Sequence, residues 1–113
     1  VGASNKFTSY ISPLSITPSN FTSFGPTDDG RIKPDIVAPG VNILSTGSGS
    51  PTQYINSSGT SMAAPVVTGT IVLLQELQKK LSGKQFQYSS TVKSLLIHTA
   101  KEAGPQPGPD YSM

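Results

Sequence analysis

Cysteine and tryptophan are absent from this chain of 113 residues, and charged residues make up only 12% of it. The absence of cysteine excludes a disulfide framework, a thiol nucleophile and a cysteine-based zinc site. The low charge argues against a disordered acidic or basic tail. The net charge is +2, but the lysines are scattered rather than clustered, so the sequence predicts no nucleic-acid partner.

A long hydrophobic run is also missing. The longest apolar stretch, residues 63–74, contains Pro65 and Gly69 and is shorter than the ~20 residues of a membrane helix. The sequence therefore predicts no membrane span.

Short β-prone runs and two helical patterns follow a long polar segment. Residues 4–30 are typical of a loop with short extended pieces, and Asp28-Asp29-Gly30 predicts a turn. The predicted strands are 36–38, 41–44 and 53–56, and the predicted helices run from about 57–61 to 81 and over 90–103.

The first predicted helix is apolar or small around its whole circumference between residues 63 and 74. A helix of this kind is buried on every side. Three short strands and one further helix cannot surround it, so the sequence indicates a piece of a larger α/β protein. We therefore expect the isolated chain to self-associate, to exchange segments between copies, or to depend on a missing part.

Gly59-Thr60-Ser61-Met62-Ala63 lies between a predicted strand and the start of this helix. Free N–H groups and the positive dipole at a helix start stabilise an oxyanion, such as one formed when Ser61 Oγ attacks a carbonyl. Gly59 allows backbone and substrate to approach closely. Taken alone, the pattern favours a plain N-cap role for Ser61. The other residues of a suitable type for the N-cap are Ser57, Ser58 and Thr60.

The wider string 59–65, Gly-Thr-Ser-Met-Ala-Ala-Pro, follows Lys-Pro-Asp-Ile-Val-Ala-Pro-Gly at 33–40, and together they resemble the subtilisin-like serine proteases. Residues 1–3, 24–26 and 91–100 are similar to other parts of that family, so the resemblance covers nearly the whole chain. It implies a partial three-layer α/β subtilisin-like fold, with parallel strands, a buried nucleophile helix and a second helix. It also implies that residues 1–113 are the C-terminal fragment of a single peptidase domain.

The resemblance assigns roles to four residues. Ser61 would be the nucleophile of a serine endopeptidase, and its N–H would be one oxyanion donor. Gly59 and Thr60 would line the site beside the bound peptide, and the exposed sulfur of Met62 would be open to oxidation. Many members have His where this sequence has Val66, but that histidine is not the catalytic one. Family members often bind structural calcium, which we expect only in the full-length protein; no metal site and no cofactor are predicted in this chain.

The catalytic partners of Ser61 are missing from the sequence. The family supplies them in the order Asp, His, Ser, and no histidine lies upstream of Ser61. We interpret His98 as an ordinary helix residue. The isolated chain is predicted to be inactive, because general-base catalysis contributes about 10²–10⁴ in rate. The full-length enzyme would act on a protein or peptide substrate and be exported to an extracellular or periplasmic location.

Two alternatives remain at this point. An α/β-hydrolase-type esterase would use Ser61, Glu76 and His98 in that order, but Glu76 would lie more than ~20 Å along the same helix as the serine. A catalytically dead subtilisin-like domain used for binding or structure would keep the fold without the chemistry. Asp and His motifs upstream of this sequence would favour the protease.

Overall fold

The computed structural model describes residues 1–83, 86–108 and 110–111. Over those residues β1 pairs with β2 in parallel, and β3 and β4 form an antiparallel hairpin. A helix follows the hairpin and a second helix follows that, so the predicted mixed α/β class with parallel strands is confirmed. The elements are β1 Gly2–Ser4, a 3-10 turn Pro13–Ser15, β2 Val37–Pro39, β3 Ile43–Thr46, β4 Tyr54–Ser57, α1 Thr60–Ser82 and α2 Ser89–Thr99.

Three alanines form the core where α1 packs against the parallel strands. Ala3 of β1, Ala38 of β2 and Ala63 of α1 are buried against one another, and Val67 packs on them. The small alanine side chain lets the helix axis come close to the sheet. This contact lies in the first turns of α1, so it fixes the position of the start of the helix.

Most of the surface of α1 is uncovered in this chain. Ala63 is the buried residue of this helix, whereas Leu73 and Leu81 have 66% and 76% of their surface exposed. The strands and the second helix of the chain cannot cover it, as the apolar circumference of the helix predicted. An apolar helix of this size is stable in water only when other surfaces cover it.

Helix α1 is also longer than the apolar stretch that the sequence suggested. It contains 23 residues, which corresponds to about 35 Å, and its length and composition alone would allow it to cross a membrane. The predicted helix already continues through Leu77 to residue 81, and the observed end at Ser82 agrees with it. The core helix of a soluble protein meets the same criterion, and the absence of a membrane span stays a prediction.

The two helices end differently. Gly83 terminates α1 in the left-handed conformation, at φ 68°, and its N–H donates to the Lys79 carbonyl, which confirms the predicted stop. The predicted end of α2 at 103 is wrong, because the helix ends at Thr99. The segment after Thr99 bonds to the loop after β1 instead of continuing the helix. Tyr10 Oη donates to the Glu102 carbonyl at 3.1 Å, and Gly104 N–H donates to the Pro13 carbonyl at 3.0 Å.

The predicted turn at residues 28–30 is confirmed. Gly30 N–H donates to the Thr27 carbonyl at 2.7 Å, and Gly30 has φ 81°. The Asp29 carboxylate accepts hydrogen bonds from the Thr27 hydroxyl and from Arg31 Nε, and these bonds lower the pKa of Asp29. Asp29 is therefore occupied within the turn itself, as expected for a polar turn before a strand.

An ion pair lies directly before β2. Asp35 Oδ1 accepts from Lys33 Nζ at 2.6 Å, and Lys93 Nζ of α2 lies 4.0 Å from the same oxygen. The hydrogen bond from Lys33 is the main cause that lowers the pKa of the Asp35 carboxyl from its ordinary value of 3.8. Because the pKa is lower in the folded state, the pair stabilises the fold above pH 3.8, and this contribution is lost as the pH falls through the folded value.

We expect Asp35→Asn to lower the thermal unfolding midpoint at neutral pH and to weaken the fall of that midpoint on acidification. The measurement is thermal unfolding of the two proteins over a pH series. Asp28→Asn is the matched control, since Asp28 is exposed and makes no ion pair in the part of the chain that the structure describes. An equal pH dependence in the Asp35→Asn variant and the unaltered protein would contradict this role of the ion pair.

Candidate active site

Ser61 is the second residue of α1, and it is exposed. The start of α1 is joined to the carboxyl ends of the parallel strands through Gly40. Gly40 N–H donates to the Ser4 carbonyl at 3.0 Å, and Gly59 N–H donates to the Gly40 carbonyl at 2.8 Å. In open α/β sheets, ligands bind at this edge of the strands. The Ser61 hydroxyl therefore lies on an accessible edge and not in a closed interior.

The first turn of α1 leaves two backbone donors available. The N–H groups of Met62 and Ala63 both donate to the Gly59 carbonyl, at 3.0 and 3.3 Å. The N–H groups of Thr60 and Ser61 donate to no acceptor among the residues that the structure describes. Together with the positive end of the helix dipole, these donors suit a negative charge that develops beside Ser61 Oγ.

The cap of α1 differs from the prediction. A serine or threonine cap was expected, but the N-cap is Gly59, which has no side chain to accept from the helix. Thr60 and Ser61 do not cap the helix because they are its first two residues, and Ser58 lies before the cap, where its Oγ accepts the N–H of Asn42 at 2.9 Å. Pro65 lies inside the helix and not in its first turn. This proline is the sixth helical residue, past the free N–H groups, and cannot donate to the Ser61 carbonyl.

Gly40 is a site-forming residue that the sequence analysis did not identify. A Cβ at this position would lie 2.7 Å from the Gly59 carbonyl oxygen, 2.8 Å from Ala3 Cβ and 3.2 Å from Ala63 Cβ. Only glycine allows β2, β1 and the start of α1 to meet this closely. The available signal was the glycine that directly follows a proline-bracketed strand.

Met62 lies next to the candidate nucleophile and is half-buried. Its Sδ is 3.4 Å from the position that a Cβ on Gly59 would take. The thioether thus folds back over the cap of the helix, close to Ser61.

The other groups considered for catalysis lie elsewhere. Glu76 is about 22 Å along α1 from Ser61, and it pairs with Lys80 at 2.6 Å, a hydrogen bond that lowers the pKa of Glu76. His98 lies in the last turn of α2, and no hydrogen bond joins it to Ser61 in the described ranges. The structure therefore does not assemble the serine, glutamate and histidine that the esterase alternative requires. Within those ranges, no three His, Asp or Glu residues are grouped so as to hold a metal ion.

The sequence of this chain is similar to those of known bacterial proteins. The C5a peptidase of Streptococcus pyogenes serotype M18 is 53% identical over 84 residues, which are 74% of this chain and 7% of that protein. The PII-type proteinase of Lactococcus lactis subsp. cremoris is 41% identical over 79 residues, which are 70% of this chain and 4% of that protein. The chain thus spans less than a tenth of the length of these curated relatives.

A solved structure is similar as well. The structure of the Clostridium perfringens CspB protease matches with a TM-score of 0.66 and 39% identity, over 84% of this chain and 21% of that chain. The match to the Subtilase family extends over residues 1–112. The family, the fold class and the serine-protease relationship that the motifs at 33–40 and 59–65 implied are therefore confirmed: this chain belongs to the subtilase family.

Proposed function

We propose that Ser61 is the nucleophile of a serine endopeptidase that hydrolyses peptide bonds through an acyl-enzyme. The observation that carries this proposal is the exposed Ser61 hydroxyl beside two available N–H groups, at the carboxyl edge of the parallel strands. Membership of the subtilase family supports it, as do relatives named peptidase and proteinase.

In the proposed reaction, Ser61 Oγ attacks the carbonyl carbon of the scissile peptide bond while a base accepts the hydroxyl proton. The carbonyl oxygen becomes an oxyanion and accepts a hydrogen bond from the Ser61 N–H. The tetrahedral intermediate collapses, the C–N bond breaks, and the amine leaves with the proton from the base. Water then hydrolyses the ester on Ser61 and restores the hydroxyl. Gly59 and Thr60 lie beside the bound peptide.

The base and its orienting carboxylate come from outside these 113 residues, because no histidine precedes Ser61 and the described contacts bring none to it. We propose that the chain is the C-terminal part of one peptidase domain and that it is inactive alone. We also propose an extracellular or periplasmic location for the whole enzyme. The low charge of this chain and its many hydroxyl side chains agree with that location. Structural calcium in the whole enzyme stays a prediction.

The uncovered side of α1 leads to a testable expectation for the isolated chain. The apolar residues exposed by more than half along this helix would remain in contact with water unless another surface covers them. They are Val72, Leu73, Leu77 and Leu81. We expect the purified 113-residue chain to elute from size-exclusion chromatography as oligomers, and co-expression with the preceding half of the domain to convert it to a one-to-one complex. A compact, monodisperse monomer of the chain alone would contradict this expectation.

The proposed function is tested by incubating a fluorescently quenched protein substrate with the full-length protein and, separately, with the 113-residue chain. We expect the full-length protein to release fluorescence and a fluorophosphonate to stop it, while the isolated chain stays at background. If the full-length, folded protein binds the substrate but does not cleave it, the result would instead support a catalytically dead binding domain.

Met62 gives a separate expectation. Its sulfur lies close to the cap of α1, so oxidation to the polar sulfoxide would disturb the start of the helix beside Ser61. We expect hydrogen peroxide to lower kcat of the full-length protein and the Met62→Ala variant to keep its activity under the same treatment. Mass spectrometry of the peptide that contains Met62 checks the oxidation. Equal loss of activity in both proteins would place the sensitive group elsewhere.

A further inference from the structure

The start of α1 is held from outside the helix. Gly59 N–H donates to the Gly40 carbonyl at 2.8 Å, and Asn42 N–H donates to Ser58 Oγ at 2.9 Å. These two bonds join the turn after β2 to two consecutive residues directly before the helix. The cap residue itself contributes no side-chain bond. The position of Ser61 relative to the strands therefore depends on this pair of bonds together with the alanine core and the β3–β4 pairing, in which Ile43 lies opposite Ser57.

The hydroxyl of Ser58 is used in an unusual way. A serine close to a helix start commonly accepts hydrogen bonds from the first N–H groups of that helix. Here the Ser58 oxygen accepts from Asn42 instead, and the N–H groups of Thr60 and Ser61 stay without an acceptor in the described part of the chain. A serine at this position thus fixes the helix start and does not occupy the donors that the proposed oxyanion needs.

The partner residue is adapted to this bond. Asn42 has φ 55°, and it is the non-glycine residue with positive φ among those described. Asparagine tolerates the left-handed region better than most residues. In this conformation the Asn42 N–H faces Ser58, so a residue that avoids positive φ would turn the donor away.

We propose that Ser58 is a positioning residue for the nucleophile, acting through its hydrogen bond with the Asn42 N–H. The inference rests on the proposed function, because it concerns the reaction of Ser61. Ser58 touches neither the oxyanion nor the base in this account. Its hydroxyl sets where Gly59 and Thr60 lie, and through them the direction of the Ser61 Oγ and N–H. Both partners are solvent-exposed, so the effect on the rate is moderate.

The test measures kcat and KM of the full-length protein per active site titrated with a fluorophosphonate. Ser58→Ala should lower kcat about two- to tenfold, the range expected for one net hydrogen bond, and leave KM within about twofold. Ser58→Thr keeps the hydroxyl and should restore kcat. Ser57→Ala is the matched control, since this neighbouring serine in β4 makes no side-chain hydrogen bond with the described residues.

Asn42 supplies an independent arm, which also serves if Ser58→Ala does not fold. Asn42→Gly keeps the positive φ and the N–H and should retain kcat, whereas Asn42→Ala should lower kcat about as much as Ser58→Ala does. The variant that combines Ser58→Ala with Asn42→Ala should have a kcat no lower than that of either single variant, because both changes remove the same bond. Unchanged kcat per titrated site in Ser58→Ala, or additive effects of the two changes, would overturn the inference. Absence of titratable sites in the unaltered protein would instead refute the proposed function.

Discussion

Ser61→Ala should abolish peptide hydrolysis by the full-length protein, with a loss in kcat of about 10⁶-fold, the size expected when the nucleophile of a subtilisin-type triad is removed. The physical reason is that the hydroxyl at the second position of α1, which is exposed, is the group that we propose forms the acyl-enzyme. Substrate binding should persist, because the N–H groups of Thr60 and Ser61 and the strand edge are unchanged. The measurement is kcat and KM with a peptide substrate.

The matched control is Ser57→Ala, which removes a hydroxyl from the end of β4 without changing α1. It should retain the kcat of the unaltered protein. The thermal unfolding midpoints of both variants should match that of the unaltered protein, since Ser61 is exposed and its side chain has no hydrogen-bond partner among the described residues. A Ser61→Ala protein that still hydrolyses the substrate at more than about one thousandth of the original rate would contradict a nucleophilic role.

Gly40→Ala should both destabilise the fold and impair catalysis. The added methyl group would lie 2.7 Å from the Gly59 carbonyl oxygen and 2.8 Å from Ala3 Cβ. Neither neighbour is the end of a flexible side chain, so strands and helix must move apart. Overpacking of this kind costs about 1–3 kcal/mol. Displacement of the start of α1 by about 1 Å would lower kcat by on the order of 10²-fold.

A double-variant cycle tests the steric explanation for Gly40. Ala3→Gly removes one of the two close contacts. It should therefore lower the free energy of unfolding less in the Gly40→Ala protein than in the unaltered protein. Denaturant unfolding of the four proteins gives the interaction energy, and kcat per titrated site gives the catalytic effect. Additive free energies, or a Gly40→Ala protein with unchanged stability, would show that the contacts at Gly40 do not fix the helix start.

The sequence predicts those parts of the fold whose signals are local. Pro34 and Pro39 favour a short strand between them, and the observed β2 has three residues and ends at Pro39. Ser82-Gly83 ends α1 where the structure does. The apolar circumference of α1 between residues 63 and 74 indicates that this chain leaves the helix uncovered. This inference needs only the residue types around the helix. The string at 59–65 points to Ser61 because glycine, serine and a helix start occur there in one place.

The parts that the sequence does not predict depend on contacts between distant residues. The end of α2 at Thr99 follows from bonds of Glu102 and Gly104 to the loop after β1, and the residues at 100–103 contain no local stop. Likewise, the Ser58 hydroxyl accepts from Asn42, which lies sixteen residues away, and not from the first turn of α1.

Two further features depend on contacts between residues that are distant in the sequence. They are the parallel pairing of β1 with β2 and the closeness of Gly40 to the start of α1. Neither leaves a pattern in the residues nearby. The catalytic base leaves no sequence pattern either, because we propose that it comes from outside these 113 residues.

The central claim is that Ser61 is activated only when the rest of the domain is present. Its most direct test is to treat the full-length protein and the isolated chain with a fluorophosphonate and to locate the adduct by mass spectrometry of the digested peptides. The account predicts an adduct on Ser61 of the full-length protein and almost none on the isolated chain. An adduct on another serine of the full-length protein, or equally fast modification of Ser61 in the isolated chain, would contradict it.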